Sequence, residues 1–290
     1  MKKTLGFYPG CSLEGTAREY TESVLSLAGH FDIALEPVPD WNCCGATAAH
    51  NINRVLSLAL PGRILAQAQK AGMEEIVVPC AACYNRLVVT QHELSANNQL
   101  RTEIEETAGV SFHAPLRILN VVRFIREYIL PELPGKLCRT LNKKVACYYG
   151  CLLVRPHKIL QFDRPEDPQF MDEIMRQLGA ESIDWPFKTE CCGAGLSVSR
   201  TKIVGRLSGK ILREALDREA EAIIVACPMC HANLDMRRQA INQFLGSKTT
   251  IPVLYITQAI GIACGLSEIE TGTRRHLVRV DWNALKEEVN

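Results

Sequence analysis

Ten of the thirteen cysteines in this chain fall into two matching sets of five. The first set is Cys11, the adjacent pair Cys43-Cys44 before Gly45, and Cys80-Ala81-Ala82-Cys83. The second is Cys151, the pair Cys191-Cys192 before Gly193, and Cys227-Pro228-Met229-Cys230. Glycine also precedes each lone cysteine, at Gly10 and Gly150. A C-x-x-C motif at a strand-to-helix turn puts two thiolates on one side of the turn, where unpaired N–H groups and the positive end of the helix dipole favour anionic sulfur. Adjacent cysteines on a regular strand would point to opposite faces. They can serve one ligand only from a turn, for which Gly45 and Gly193 supply backbone freedom.

The alternatives for such sulfurs can be ranked. Structural zinc takes four ligands, so five per set is one too many. A thioredoxin-like C-x-x-C needs no adjacent-cysteine companion. The N-terminus carries no long apolar signal core and no run approaches a membrane span, so a reducing cytoplasmic setting is expected, and a disulfide framework does not suit it. Thiolate-bound multi-iron clusters remain. The formal net charge of +1 gives no global field for nucleic acid or an acidic membrane. With 47% hydrophobic and 22% charged residues, the chain reads as an ordinary globular protein able to bury a sizeable core.

Positioning ten sulfurs requires loops presented from one end of a sheet. Leu5-Gly6-Phe7-Tyr8 reads as a buried strand entering the turn Pro9-Gly10-Cys11, with a helix from about Thr16 to His30. A strand over 33–38 leads to Cys43-Cys44. The next helix is expected from about Ala46 to Leu60, broken at Pro61-Gly62 and resuming to Ala71. Ile76-Val77-Val78 is a strand delivering Cys80, followed by a helix from about Tyr84 to Asn97. Residues 99–139 read as a connector with an amphipathic helix over Ile118 to Tyr128, and Pro131 and Pro134-Gly135 mark the lobe boundary. The order then repeats: a strand at Val145 to Tyr149, a polar insertion from Arg155 to Pro168, a helix at Gln169 to Leu178, a short strand near 181–185 and a helix at about Lys202 to Arg218. A strand at Ala222 to Val225 and a helix at about His231 to Phe244 complete the repeat. The insertion explains why Cys151 to Cys191 spans 40 positions and Cys11 to Cys43 only 32. Val253-Leu254-Tyr255-Ile256 adds a strand before a closing helix. The expectation is an α/β protein of two pseudo-symmetric Rossmann-like lobes, 1–139 and 140–290, with parallel sheets and every motif cysteine at the carboxyl end of a strand.

The order Cys-x31-Cys-Cys-Gly-x34-Cys-x2-Cys, repeated with small changes of spacing, resembles the signature of cysteine-rich CCG domains. The chain is similar over essentially its whole length to the family of heterodisulfide reductase B subunits. The stretches that carry the likeness are Cys43-Cys44-Gly45-Ala46-Thr47, Val78-Pro79-Cys80-Ala81-Ala82-Cys83-Tyr84-Asn85-Arg86-Leu87, Ala226-Cys227-Pro228-Met229-Cys230-His231-Ala232-Asn233-Leu234-Asp235 and Pro252-Val253-Leu254-Tyr255-Ile256-Thr257-Gln258. The resemblance implies two noncubane 4Fe–4S clusters, one on Cys11, Cys43, Cys44, Cys80 and Cys83, the other on Cys151, Cys191, Cys192, Cys227 and Cys230. It implies that the clusters face each other across a crevice. A disulfide such as CoM-S-S-CoB would be cleaved there in two one-electron halves, with Cys43, Cys44, Cys191 and Cys192 at the reacting centres. It also implies two partners from the same kind of complex: the iron–sulfur C subunit, which delivers the electrons, and the flavin-containing A subunit, which feeds it. Two other functions fit the same signature: an electron-transfer or anchor subunit of a nonclassical succinate or fumarate:quinone reductase, and a related subunit oxidising sulfur held on a carrier protein. The anchor reading requires a membrane-facing amphipathic helix with basic flanks, and Ile118 to Tyr128 is too short and too weakly basic to satisfy it.

Outside the motifs, Cys138, Cys147 and Cys264 read as structural thiols, Cys147 pointing into the core. His231 and His50 have a weaker claim on a cluster sulfur or a substrate than on a capping or surface role. Lys188, Arg86 and Arg200 lie beside motifs and could meet an anionic thiol, though a solvated face is the plainer role for each. Asn42 and Glu190, each just before a cysteine pair, are expected to fix the turns.

Overall fold

Short apolar runs, each ended by turn residues, build the centre of each half. The computed structural model describes residues 3–280. The first sheet holds β1 (Lys3–Phe7), β2 (Ile33–Pro37), β3 (Glu75–Val78) and β4 (Arg117–Asn120), in the order β2-β1-β3-β4. The second holds β5 (Lys144–Tyr148), β6 (Glu181–Ser182), β7 (Ala222–Val225) and β8 (Val253–Tyr255), in the order β6-β5-β7-β8. Every pairing is parallel, so each crossover carries a helix that covers a sheet face. The central strands are buried on both faces: Ile76, Val77 and Val78 in one sheet, and Ile223, Ile224 and Val225 in the other, are closed to solvent. The expected pair of parallel, Rossmann-like lobes is therefore present.

Three local expectations change. Ile118-Leu119-Asn120 is strand β4 of the first sheet, not the start of a helix. A short apolar run is compatible with either element, and the open edge of β3 decides it. Helix begins only at Val121, where the Asn120 side chain accepts the Arg123 N–H at 2.9 Å. Helix Arg54–Lys70 runs unbroken through Pro61. An interior proline costs about 3 kcal/mol, and this one is opposed by the burial of Leu58, Ala59, Ile64, Leu65 and Ala68 on the core side. Next to it Gly62 packs so close to Phe112 that an added Cβ would lie 3.0 Å from the ring. Finally, Cys11 sits in a short helix, Gly10–Glu14, before the main helix Arg18–His30.

The lobes are joined through their interiors. Helix Arg18–His30 of the first packs on helix Ile256–Ala263 of the second, and Ser23 Oγ lies 2.7 Å from Thr257 Oγ1. The Tyr20 ring stacks on Tyr255 at 3.8 Å between centroids, and Tyr255 stacks on His231 at 4.4 Å. The Tyr20 hydroxyl donates to the carbonyls of both Pro79 and Ala226, each at 3.3 Å. Those two residues immediately precede Cys80 and Cys227, so one side chain ties together the strand ends that carry the two C-x-x-C motifs.

Candidate functional site

Each group of five cysteines is assembled from three consecutive strand ends, the location that ligands occupy in open α/β sheets. In the first lobe Cys11 follows β1, Cys43 and Cys44 follow β2, and Cys80 caps helix Ala81–Ala96 directly after β3. In the second, Cys151 follows β5, Cys191 and Cys192 follow β6, and Cys227 caps helix Pro228–His231 after β7. The structure brings the sulfurs of each set together. Cys43 Sγ lies 3.8 Å from Cys11 Sγ, and Cys44 Sγ lies 3.1 Å from Cys83 Sγ. In the second lobe Cys192 Sγ is 3.8 Å from Cys230 Sγ. All are free thiols.

The two nests share a gradient of exposure. Cys44, Cys80, Cys83, Cys192, Cys227 and Cys230 are buried, whereas Cys11, Cys43 and Cys191 are exposed and Cys151 is half-buried. Each nest thus has a buried floor and an open rim. The floors adjoin: the Tyr20 hydroxyl reaches the carbonyls of both Pro79 and Ala226, so the strand ends that carry Cys80 and Cys227 lie side by side, and both thiols are buried.

Backbone groups fit anionic sulfur. The Gly45 N–H lies 3.4 Å from Cys43 Sγ and the Gly193 N–H lies 3.3 Å from Cys191 Sγ, both glycines having φ in the left-handed region, +72° and +81°. Gly10 and Gly150 are required for space as well as conformation: a Cβ would lie 3.1 Å from Cys83 Sγ in one lobe and 3.0 Å from Cys230 Sγ in the other. Hydrogen bonds from Cys43 and then Cys83 hold the Cys44 thiol down to about 4. A hydrogen bond from Cys151 holds Cys191 down to about 6. In each nest one thiol is held down while the neighbours that donate to it, Cys43 and Cys83 in the first and Cys151 in the second, are pushed up.

Two kinds of support for the nests, from a pair of tyrosines and from an asparagine, lie outside the motif residues. The Tyr8 hydroxyl donates to the Asn42 carbonyl at 2.8 Å, and the Tyr148 hydroxyl donates to the Glu190 carbonyl at 2.6 Å. Each therefore holds the residue just before a cysteine pair. The signal was legible as Tyr-x-Gly-Cys occurring twice, at Tyr8-Pro9-Gly10-Cys11 and Tyr148-Tyr149-Gly150-Cys151. The second is Asn85, whose amide reaches across the lobe boundary to the carbonyls of Leu152 at 3.2 Å and Arg155 at 2.6 Å, bracing the loop of Cys151.

Among the described residues no three Cys, His, Asp or Glu side chains converge as tightly as one bare ion requires. A cluster of several irons and sulfides fills a wider space, and an all-thiol donor set with N–H groups aimed at sulfur suits it. A profile of the cysteine-rich domain family with the CCG signature matches residues 5–88 and 145–235, the two stretches that build the nests. The chain belongs to this CCG family and carries its domain twice. It is 30% identical to the B subunit of the ferredoxin:CoB-CoM heterodisulfide reductase of Methanosarcina mazei, over 83% of each chain. It is 27% identical to the 8-methylmenaquinol:fumarate reductase membrane anchor subunit of Wolinella succinogenes, over 96% of this chain and 98% of that one. These relatives place it among heterodisulfide reductase-like subunits. The fold resembles the crystal structure of a hypothetical protein from Helicobacter pylori with a TM-score of 0.79 at 12% identity, covering 97% of this chain and about half, 53%, of that one.

Within this CCG pair the secondary candidates divide. Asn42 fixes its turn as expected, donating to the Cys43 and Leu60 carbonyls at 2.9 and 3.0 Å and accepting from Arg63 at 3.0 Å. Glu190 is held in its turn through its carbonyl, which accepts from the Tyr148 hydroxyl, and its side chain is exposed. Lys188 is not on a solvated face: it is buried, 2% exposed, and pairs with Asp167 at 2.8 Å and Asp172 at 3.4 Å. His231 is buried in the lobe interface, its Nε2 3.1 Å from the Val253 carbonyl, so it neither reaches a substrate nor caps a surface helix. Arg200 is exposed and Arg86 half-buried. Cys147 is buried and accepts from Ser182 Oγ at 3.5 Å, as a structural thiol should. Cys138 and Cys264 are neighbours, with Cys138 Sγ donating to the Cys264 carbonyl at 3.4 Å. The side chain of His50 lies outside the described residues.

Proposed function

We propose that this chain is the disulfide-cleaving subunit of a heterodisulfide reductase-like complex, an oxidoreductase acting on sulfur. Cys11, Cys43, Cys44, Cys80 and Cys83 hold one noncubane 4Fe–4S cluster, and Cys151, Cys191, Cys192, Cys227 and Cys230 hold the other. The observation that supports this reading best is a pair of five-thiol nests, each with an exposed rim, whose C-x-x-C strand ends are tied side by side by Tyr20. One nest alone would serve single-electron transfer; two nests back to back match a reaction of two electrons. That reaction is RSSR′ + 2 e− + 2 H+ → RSH + R′SH, in which one S–S bond breaks, both sulfurs are reduced and two protons are taken up. When bound, the clusters supply the electrons one at a time together with iron as a thiophilic acceptor.

The chain's own residues do the rest. The rims around Cys11, Cys43, Cys151 and Cys191 admit a sulfur from outside, and the floors exclude water. Tyr8 and Tyr148 fix the pair-bearing loops, and Tyr20 fixes the spacing of the floors. Electrons arrive through an iron–sulfur C subunit, itself fed by a flavin-containing A subunit. Residues 1–139 and 140–290 form the two domains, one nest in each; the segment after 280 lies outside the described residues. Because thiol–disulfide chemistry is reversible in kind, oxidation of a carrier-bound sulfur would use the same site.

A second reading, an electron-transfer anchor subunit, is favoured by the likeness to the Wolinella succinogenes protein. No described helix is long and apolar enough to cross a membrane. Ile118, Val121, Val122, Phe124, Ile125 and Ile129 are buried, so that segment is not free to lie on one. Iron and sulfide analysis of anaerobically purified protein, with EPR before and after thiol addition, tests the first reading. About eight irons per chain and a new signal on thiol binding support it; zinc alone, or half that iron, refutes two clusters. Cys44→Ala or Cys192→Ala should each remove one cluster.

A further inference from the structure

The two nests are built alike but are not charged alike. The repeats align at the C-x-x-C motif, so the residue three places after its second cysteine is Arg86 in the first lobe and Asn233 in the second. In helix Ala81–Ala96 an i,i+3 relation puts Arg86 on the same face as Cys83. Its guanidinium charge favours the Cys44 thiolate, as the smallest influence after the hydrogen bonds from Cys43, Cys83 and the Ala46 N–H. At the matching place Asn233 is buried and neutral. It donates to the Cys192 carbonyl at 3.0 Å and to Cys192 Sγ at 3.6 Å, while its Oδ1 accepts from Ser197 Oγ at 2.6 Å. A second pair of aligned positions differs in the same direction. The residue before the adjacent cysteines is neutral Asn42 in the first lobe and anionic Glu190 in the second. The Glu190 charge works against the hydrogen bond from Cys151 that lowers Cys191.

Reduction adds negative charge to a thiolate-bound cluster, so a nearby cation raises its potential and a nearby anion lowers it; hydrogen bonds to sulfur raise it as well. The amide of Asn233 therefore acts in the same direction as Arg86, but a dipole acts more weakly than a full charge beside a buried sulfur. Solvent screens the exposed Glu190 more than the half-buried Arg86. Both differences leave the first nest the more positive.

We infer that Arg86 and Glu190 set unequal potentials in the two nests, the first above the second, so that the one-electron-reduced protein holds its electron on the Cys11-Cys43-Cys44-Cys80-Cys83 side. This rests on the two-cluster reading proposed above, and Arg86 and Glu190 are positioning charges, not ligands. The test is an EPR-monitored redox titration of the anaerobic full-length protein, with iron and sulfide quantified in the same samples. Wild type should show two separated midpoints. Arg86→Gln should move the higher one to more negative potential and leave the lower one in place, and Arg86→Lys, which keeps the charge, should restore it. Glu190→Gln should raise only the lower midpoint. Coincident midpoints in wild type, or equal shifts in Arg86→Gln and Arg86→Lys, would overturn the inference while leaving the clusters intact. A preparation with no iron, or with one cluster, would overturn the two-cluster reading and the inference together.

Discussion

The Asn85 amide of the first lobe lies 2.6 Å from the Arg155 carbonyl of the second. It follows the first C-x-x-C yet braces the loop that carries Cys151, so the second nest depends on the first lobe. Asn85 is 5% exposed, and truncating it leaves the Leu152 and Arg155 carbonyls without their donor. Each lost hydrogen bond is worth about 1 kcal/mol, with more where the acceptor stays buried. Asn85→Ala should therefore lower stability by about 2 kcal/mol in urea unfolding. It should also loosen metal retention at the second nest, although the substitution lies in the first. Equal iron loss from both nests under chelator challenge would count against the bracing role.

The two tyrosines that precede the Gly-Cys turns allow a matched test. Tyr8 and Tyr148 are fully buried, and each hydroxyl has a carbonyl next to a cysteine pair as its partner. Tyr8→Phe keeps the ring and leaves the Asn42 carbonyl unpaired, a cost of about 1–3 kcal/mol. The expected outcome is faster iron release from the first nest alone, and Tyr148→Phe should do the same to the second. The two variants together should add, because the hydroxyls share no partner.

Much of this arrangement was legible in the sequence because thiols in a repeated order constrain topology. Cysteines after Phe7, Val78, Tyr148 and Val225 had to be at strand ends, and the parallel sheets followed from alternating strands and helices. What was not legible depended on packing. Ile118-Leu119 reads equally as strand or helix until the free edge of β3 is known. Pro61 reads as a break until the burial of Ile64 and Leu65 is weighed against it. Lys188 looked like a surface lysine because its partners lie 21 and 16 positions earlier, Asp167 in the polar insertion and Asp172 in helix Phe170–Gln177, and no local spacing joins them to it. The cross-lobe contacts of Asn85 and Tyr20 have no sequence signal, since they join segments related only by the folded pseudo-symmetry.

Lys188 makes a prediction of its own. Its Nζ lies 3.4 Å from Asp172 Oδ1, and Asp172 also accepts from Tyr149 at 2.6 Å and Ser182 at 2.8 Å. The Lys188 carbonyl accepts the N–H groups of Tyr149 and Gly150 at 2.9 and 3.0 Å, so this residue holds the turn that presents Cys151. Burial already pushes the Asp172 carboxyl up, and the lysine opposes that. Lys188→Met would strand a buried carboxylate at a cost of about 3–5 kcal/mol. Lys188→Met combined with Asp172→Asn should recover most of it in the same urea unfolding measurement. A double variant no more stable than the single one would show that the lysine acts through packing instead.

The acid limit of the folded chain should be set in part by His276. Gln258 Oε1 accepts the Tyr255 N–H at 2.9 Å, which fixes the amide so that its Nε2 donates to the Thr271 carbonyl at 3.0 Å and to His276 Nε2 at 2.9 Å. The imidazole lone pair that would take a proton is thus already occupied by a donor. Burial pushes His276 down to about 4 and pushes the neighbouring His231 well below its ordinary range. A histidine depressed in the folded state stays neutral there, while in the unfolded chain it takes up a proton below about pH 6.5. Its contribution to stability is therefore complete above that pH and is lost as pH falls toward the folded value, at up to about 1.4 kcal/mol per pH unit. Glu19, whose carboxyl burial pushes up, acts in the opposite sense, so the comparison must be between variants and not between pH values alone. His276→Gln removes the titrating group and keeps a side chain able to accept from Gln258. Between pH 7 and 5 the Tm of the wild type should fall more steeply than that of the variant, and parallel curves would show that His276 already binds its proton in the fold.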